Sequence, residues 1–471
     1  MRRLNALVPA LLVLAAPAAQ AQSAASAEEE AAATGWFKAA GHAFDPSAYG
    51  EADMAPLVAQ LGGARIIGIG EATHGGHQDQ AFKAELIKAL VRAGQVQVLM
   101  LEANRAAAAG FDRYVRTGEG NPAALIHSRS FFATWKDDEF AGLILWLRAW
   151  NMQARQPVRI VGIDCQDGGR DAQAALEFVR SHDPRAARRL RAGLGSLVPV
   201  PEALPGRFLD WFKSRDLAEQ VKVTAGVGAL AAWFDSAPAA ARSDPGFADA
   251  RQAARMAVQG FAIFKVFRHD FDESKASEAD FSLRDRYMAD NAVALLGAGE
   301  HAALWAHDTH VTHAVPASWK DLGFLAVGMV LEERLGDGYR TVGFTWSRGA
   351  FWASTIADTS LASIGGAQRP VVQQLVNNRP GEYGALFDAT GAQAMWVDFT
   401  RRPRGEVLDR WARRPYWRGW AGWGTMPGTW QQADAAQGYL PGDAASGFDV
   451  LVWFRDLSPA RRWPALPTAK K

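Results

Sequence analysis

Cysteine is all but absent from the 471 residues: Cys165 stands alone, which excludes an intramolecular disulfide and any all-cysteine metal site. An excess of one charge is missing too, since 51 basic side chains meet 50 acidic ones and leave a formal charge of +1. No long-range field would draw nucleic acid or an anionic membrane, so selectivity has to come from a local site. The chain has no Gly-x-Ser-x-Gly elbow, no P-loop, no dinucleotide fingerprint and no helical zinc signature. What it does have is 49% hydrophobic and 10% aromatic residues, the composition of a large folded globule and not of a disordered chain.

At the N terminus, Arg2 and Arg3 precede an apolar run from Ala6 to Ala16, and Ala19-Gln20-Ala21 forms a small-x-small site. This pattern predicts a signal peptide over residues 1–21, cleaved near Ala21, and hence a periplasmic or secreted mature chain. The run is broken by Pro9 and Pro17 and is too short for a bilayer span, so no stable membrane insertion is expected. Losing two arginines takes the formal charge to about −1. Residues 22–34, rich in Ala and Glu, read as a solvated linker or frayed helix leading into one α/β domain over 35–471.

Short apolar runs bounded by turn signals are the pattern of buried parallel strands. Five occur, at Arg65–Gly70, Val96–Leu101, Val158–Ile163, Ala302–Ala306 and Arg340–Thr345, with two further candidates at Met395–Phe399 and Asp449–Phe454. Helical periodicity fills the intervals: Ala81–Arg92 puts Phe82, Leu86, Ile87, Leu90 and Val91 on one face, and Asp138–Asn151 does the same with Phe140, Leu143, Ile144, Leu147 and Trp150. The expected fold is α/β, a largely parallel central sheet flanked by helices. A long helical insertion is expected at about 171–299, broken by Pro199, Pro201 and Pro205. From Arg401 a Trp/Arg-rich C-terminal region containing Trp411, Trp417, Trp420, Trp423 and Trp430 reads as a loop-rich cap.

The ionisable residues fall in a telling place. Each of the first four expected strands runs into a titratable residue at its carboxyl end: Glu71, Glu102, Asp164, and His307 with Asp308. Ligands of open α/β sheets bind in the crevice outside those ends, so the four positions are expected to converge. A single acid there is commonly a helix cap; four in succession argue for a site. In Gly70-Glu71-Ala72-Thr73-His74-Gly75-Gly76-His77, Glu71 is near enough to His74 to hydrogen-bond the imidazole, fix its tautomer and raise its basicity, which suits a general base. His307 and His310 are three apart and can share a helix face. His313 is expected to continue that helix and His301 to lie at the surface.

So many acids need protons, a metal or guanidinium partners before they can be desolvated together. Arg105, Arg284 and Arg348 are the candidate guanidinium groups. Cys165 reads as a small buried residue at a strand end and not as a nucleophile. Three functions are compatible with these residues. The first is hydrolysis by a His/Glu pair. The others are a metal hydrolase using Glu71, His74, Asp164 and His307 or His310, and a periplasmic ligand- or haem-binding protein without chemistry.

The order and spacing of several segments resemble the erythromycin esterase family: Gly70-Glu71-Ala72-Thr73-His74-Gly75, Leu101-Glu102-Ala103, Asp112-Arg113-Tyr114-Val115, Trp135, Glu139, Trp146-Leu147-Arg148, Asn151, Gly162-Ile163-Asp164, Arg284-Asp285, Met288-Ala289, Asn291 and Trp305-Ala306-His307-Asp308-Thr309-His310. The resemblance implies an α/β core with helices around a cleft. It also implies hydrolysis of a small-molecule ester or lactone, macrolide-type in characterised members, by activated water with no metal, cofactor or acyl-enzyme. His74 resembles the general base and Glu71 its carboxylate partner, while His307 and His310 resemble a second histidine group that orients the ester or protonates the leaving alkoxide. Glu102, Asp164, Arg284 and His77 are expected to contact substrate. Three departures bear on specificity: the family pattern carries glutamate at Gln78, arginine at Lys83 and asparagine at Asp308. Gln78 cannot ionise, and Lys83 lacks the flat fork of arginine.

Overall fold

A computed structural model describes residues 25–128, 131–198, 208–272, 278–315, 323–355, 370–374, 382–419, 424–425, 439–443 and 447–463. The signal-peptide segment, Pro199, Pro201, Pro205, Trp420, Trp423 and Trp430 lie outside them. The strands are β1 (His42–Phe44), β2 (Ile66–Ile69), β3 (Val98–Asn104), β4 (Arg159–Asp164), β5 (Ala302–Trp305), β6 (Tyr339–Thr355), β7 (Pro370–Gln374), β8 (Ala394–Asp398), β9 (Pro415–Gly419), β10 (Gly424–Thr425), β11 (Tyr439–Asp443) and β12 (Val450–Leu457).

The central sheet runs β1-β8-β12-β6-β2-β5-β3-β4. From β12 to β4 every neighbour along this path is parallel; β8 is reversed, pairing antiparallel with both β12 and β1, and off the path β7 pairs antiparallel with β6. The strands read as unbroken apolar runs because both faces are covered. Ile67, Ile69, Leu99, Leu101, Ala303 and Trp305 point into one core. Ile66, Val98, Met100, Ala302 and Leu304 point into another. Helix His77–Arg92 lays Phe82, Leu86, Ile87, Leu90 and Val91 into the first core, each such side chain contributing roughly 1.5–3 kcal/mol. Helix Asp138–Asn151 joins it there, capped by Asp137, whose carboxylate accepts from the Phe140 N–H at 2.8 Å.

Between β4 and β5 the described chain is helical, with Gly168–His182, Pro184–Leu194, Phe208–Lys213, Leu217–Asp235, Phe247–Ile263 and Glu278–Leu295 as the main segments. The first five pack around a separate apolar cluster. The last carries Met288, Ala289 and Ala292 onto the sheet. Among the described residues no helix is long and apolar enough to cross a membrane.

Three expectations are corrected. Of the two readings of residues 22–34, a solvated linker or a frayed helix, the described part is helical from Ala27 to Ala40 but packed and not frayed, because Ser26 and Glu29 form a reciprocal capping box and Trp36 and Phe37 are buried against Phe387, Phe399 and Trp411. Trp411 is thus core, on a helix Glu406–Ala412, and not part of a loop-rich cap. The strand expected at 340–345 continues to Thr355, since β12, β7 and β10 supply partners along its length.

Candidate active site

The site is built at the carboxyl ends of β2, β5, β3 and β4, which are consecutive across the sheet. The turn after β2 is packed so tightly that side chains are excluded: a Cβ on Gly70 would lie 1.9 Å from Asp308 Oδ1, and one on Gly75 would lie 2.0 Å from the Trp352 carbonyl oxygen. Asp79, fully buried on the following helix, fastens the same turn by accepting from the Ala72 and Thr73 N–H groups at 3.1 and 3.2 Å. Burial, reinforced by the Asp308 charge, pushes the Asp79 carboxyl well above the usual carboxylate range.

Within this turn Glu71 is completely buried and has three partners. His74 Nδ1 meets Oε1, Trp135 Nε1 donates to Oε1 at 2.8 Å, and Lys83 Nζ meets Oε2. Burial alone would raise the Glu71 carboxyl; the Lys83 ammonium, then His74, more than offset it and bring it down to about 2. Lys83 is itself buried, with Nζ 3.1 Å from the Ala306 carbonyl oxygen and 4.2 Å above the Trp305 ring, and burial draws its ammonium below the ordinary range against the pull of Glu71. A carboxylate held ionised in this way fixes His74 with its proton on Nδ1 and its lone pair on Nε2. The His74 side chain keeps 12% exposure, so the ring is reachable from solvent.

His307 faces it, ring centroids 4.8 Å apart. Its Nδ1 accepts from the Thr309 N–H at 3.2 Å, and burial, then the nearby His74, hold the ring well below its normal titration range. A neutral ring accepting at Nδ1 carries its proton on Nε2 and is a donor there. The His307 backbone N–H donates to Glu102 Oε2 at 3.0 Å.

Glu102 leads to a second cluster. Arg284, on helix Glu278–Leu295, donates from Nη2 to Glu102 Oε1 at 2.7 Å and to Asp164 Oδ2 at 2.8 Å. His310 lies between acids, with Nδ1 2.6 Å from Asp285 Oδ1 and Nε2 3.2 Å from Glu102 Oε1. Burial disfavours its charged form, yet Asp285 and Glu102 prevail and raise it to about 10, so it is an imidazolium at neutral pH. The Glu102 carboxyl, which burial would raise, is carried well below its usual range by His310 and Arg284. Lys83, Arg284 and His310 therefore supply the positive charge that lets the buried acids stay ionised.

The structure brings Glu71, His74, His307, Glu102, Arg284, Asp164 and His310 into this connected group. It does not bring in His77, whose Nδ1 pairs with Glu139 of helix Asp138–Asn151 because His77 begins its own helix and turns away from Glu71. Two guanidinium candidates also go elsewhere: Arg105 binds Asp171 and Asp249, and Arg348 binds Asp456 on the exposed rim of β6. The helix of His307 and His310 ends at Val311, so His313 does not continue it; it bonds Asp449 at 2.8 Å. His301 is half-buried, its Nδ1 2.6 Å from the Ala64 carbonyl oxygen. Cys165 is fully buried, and burial, then Asp164, pushes its thiol well up. Among the described residues no group of three or more His, Cys, Asp or Glu side chains is arranged to hold a metal ion.

The erythromycin esterase family profile matches residues 91–457. The chain belongs to the erythromycin esterase family. A putative hydrolase, YbfO, from Bacillus subtilis (strain 168) is 23% identical over 418 residues, 84% of this chain and 89% of that one. Erythromycin esterase type I from Escherichia coli is 24% identical over 308 residues, 61% of this chain and 71% of that one. Two solved structures share the fold. A succinoglycan biosynthesis protein superposes with a TM-score of 0.72 at 18% identity, covering 92% of this chain and 98% of that one. An erythromycin esterase mutant in an open conformation gives 0.67 at 17%, covering 89% and 97%. The family match takes in Glu102, Asp164, Arg284, His307 and His310, while the Glu71–His74 turn precedes it.

As a member of the erythromycin esterase family the chain is a hydrolase, and three of its site residues were not assigned from sequence. Lys83 had a signal: it sits on the apolar stripe of its helix with Leu86, Ile87 and Leu90, where a lysine needs a buried partner. Asp285, next to Arg284, and Trp135 carried no local signal, because their partners are 25 and 64 residues away in sequence.

Proposed function

We propose that this erythromycin esterase family member is an exported carboxylic ester hydrolase that opens an ester or lactone with water activated by His74. The observation that carries the reading is the Glu71–His74 bond, with Glu71 kept ionised chiefly by Lys83 and its Oε1 also bonded by Trp135. His74 Nε2 takes a proton from water as its oxygen attacks the acyl carbon. Glu71 stabilises the imidazolium that results, and the same proton passes to the leaving alkoxide as the tetrahedral intermediate collapses. The Nε2–H of His307 donates to the acyl oxygen, where negative charge develops. His310, with both nitrogens engaged by acids, acts through Glu102 and Arg284 to hold the charge around the cleft.

The reading uses no metal: His74 and His310 spend their Nδ1 positions on carboxylates, and Lys83 and Arg284 already neutralise the acids a metal would otherwise serve. The substrate class, a small-molecule ester or macrolide-type lactone whose cleavage would inactivate an antibiotic, follows the name of the Escherichia coli relative. The test is incubation of purified protein with a macrolide lactone and a panel of simple esters, with and without chelator. Addition of one water to a substrate, unaffected by chelator, supports the reading. Loss of activity in chelator with recovery on adding zinc would replace it with metal catalysis, and binding without turnover of any ester would replace it with a ligand-binding role. Export is tested by N-terminal sequencing of the protein recovered from periplasm or medium, which should begin near Gln22; a chain retained inside the cell with Met1 in place contradicts it.

A further inference from the structure

The two donors to Glu71 Oε1 sit on different loops. His74 is on the turn after β2, and Trp135 is on the turn that precedes helix Asp138–Asn151. Their joint aim at one oxygen requires that the two loops keep a fixed separation. The segment after β12 provides the link. On one side it lies antiparallel to the His74 loop: the His77 N–H donates to the Ser458 carbonyl oxygen at 2.7 Å, and the Ala460 N–H donates to the Gly75 carbonyl oxygen at 2.8 Å. On the other it lies antiparallel to the Trp135 loop: the Asp138 N–H donates to the Arg461 carbonyl oxygen at 2.7 Å, and the Trp463 N–H donates to the Lys136 carbonyl oxygen at 3.0 Å.

Side chains reinforce the seam. Gln78 Oε1 accepts from the Ser458 N–H at 2.8 Å and Gln78 Nε2 donates to Ser458 Oγ at 3.0 Å, while Trp352 Nε1 donates to the Ala460 carbonyl oxygen at 3.0 Å. Arg462 stacks its guanidinium over the Trp352 ring, 5.4 Å from the centroid. We propose that Ser458–Trp463 is a strap that positions the hydrolytic pair, with Gln78 and Ala460 as its positioning residues: it sets the distance between the His74 and Trp135 loops and so aims both at Glu71. The strap lies beyond the end of the family match at residue 457, and the Gln78 side chain holds it. The inference rests on the role proposed for Glu71 and His74.

The test uses the full chain. Ala460→Pro removes the N–H that Gly75 accepts; Ala460→Gly keeps it and is the control. Gln78→Ala removes the three bonds between that side chain and Ser458 without altering the backbone, and Gln78→Glu keeps the acceptor for the Ser458 N–H. Two quantities are read on folded protein: kcat and KM on the best ester, and the downfield proton signal of the His74 Nδ1–H, assigned by its loss in His74→Ala. Displacing a catalytic group by about 1 Å costs on the order of a hundredfold, so Ala460→Pro should lower kcat ten- to a hundredfold with little change in KM, and weaken the proton signal. Gln78→Ala should lower kcat about fivefold, the equivalent of one hydrogen bond, with Gln78→Glu restoring it. If Ala460→Pro does not fold, the Gln78 pair decides. Wild-type kcat and an intact signal in folded variants overturn the strap, and so does lower stability at unchanged kcat per folded molecule. Should the wild type turn over no ester, the hydrolytic reading fails by itself, while the proton signal still reports whether the strap aims His74 at Glu71.

Discussion

Replacing Lys83 by methionine would leave Glu71 as a buried carboxylate without its cation. Both side chains are wholly shielded from solvent, and the ammonium also bonds the Ala306 carbonyl oxygen and rests on the Trp305 ring. Removing one member of a buried ion pair costs about 3–5 kcal/mol, because the remaining charge is neither solvated nor paired. The carboxyl has one escape, which is to take up a proton. Its value of about 2 is held there chiefly by Lys83; with that charge gone, burial carries it upward and Glu71 becomes neutral. Neutral Glu71 no longer stabilises a protonated His74, so turnover should fall by about two to four orders of magnitude along with stability. Adding Glu71→Gln to Lys83→Met replaces the orphaned acid by an amide. Stability should return to within about 2 kcal/mol of wild type while activity stays low, a non-additivity that double-mutant cycles detect between contacting residues. The assays are urea unfolding followed by circular dichroism at neutral pH, and ester turnover. A Lys83→Met protein as stable and active as wild type, or a double mutant whose losses simply add, would refute the claim that this pair holds the site together.

Arg284→Met should likewise destabilise the protein by about 3–5 kcal/mol, since it strips the common cation from Glu102 and Asp164, and urea unfolding would show it. His310 makes the stability curve fall on the alkaline side. Its folded value of about 10 exceeds 6.5, so its contribution is complete below pH 6.5 and is lost as pH rises toward 10; His310→Gln should flatten that limb in unfolding measured across this range. At Asp79 the neutral isostere is the informative change. Asp79→Asn should stay within about 1 kcal/mol of wild type, whereas Asp79→Ala leaves the Ala72 and Thr73 N–H groups unpaired and costs about 1–3 kcal/mol in urea unfolding; equal losses would contradict a protonated Asp79.

The parts of the fold readable from sequence were those where local pattern and long-range packing agree. The strands at Ile66, Val98, Arg159 and Ala302 announce themselves because helices cover both faces of the sheet, and their ends point to Glu71, Glu102, Asp164 and His307 without any knowledge of contacts. The three-residue β1 gives no such signal, since it is held by register with β8 some 350 residues later and its residues are mostly exposed. Partner choice was also out of reach. Arg105 and Arg284 look alike in sequence, yet Asp171 and Asp249 capture the first and Glu102 and Asp164 the second, through helices whose placement is tertiary. His77 stands three positions after His74, and only the helix start at His77 turns its ring to Glu139 and away from Glu71.

The central claim, that His74 oriented by Glu71 activates water, is tested most directly by comparing turnover of the best ester by wild type, His74→Ala and Glu71→Gln, each verified as folded. A loss of about two to four orders of magnitude in kcat for His74→Ala, with Glu71→Gln also strongly impaired and KM little moved, is the predicted result. Turnover by folded His74→Ala at the wild-type rate would contradict it.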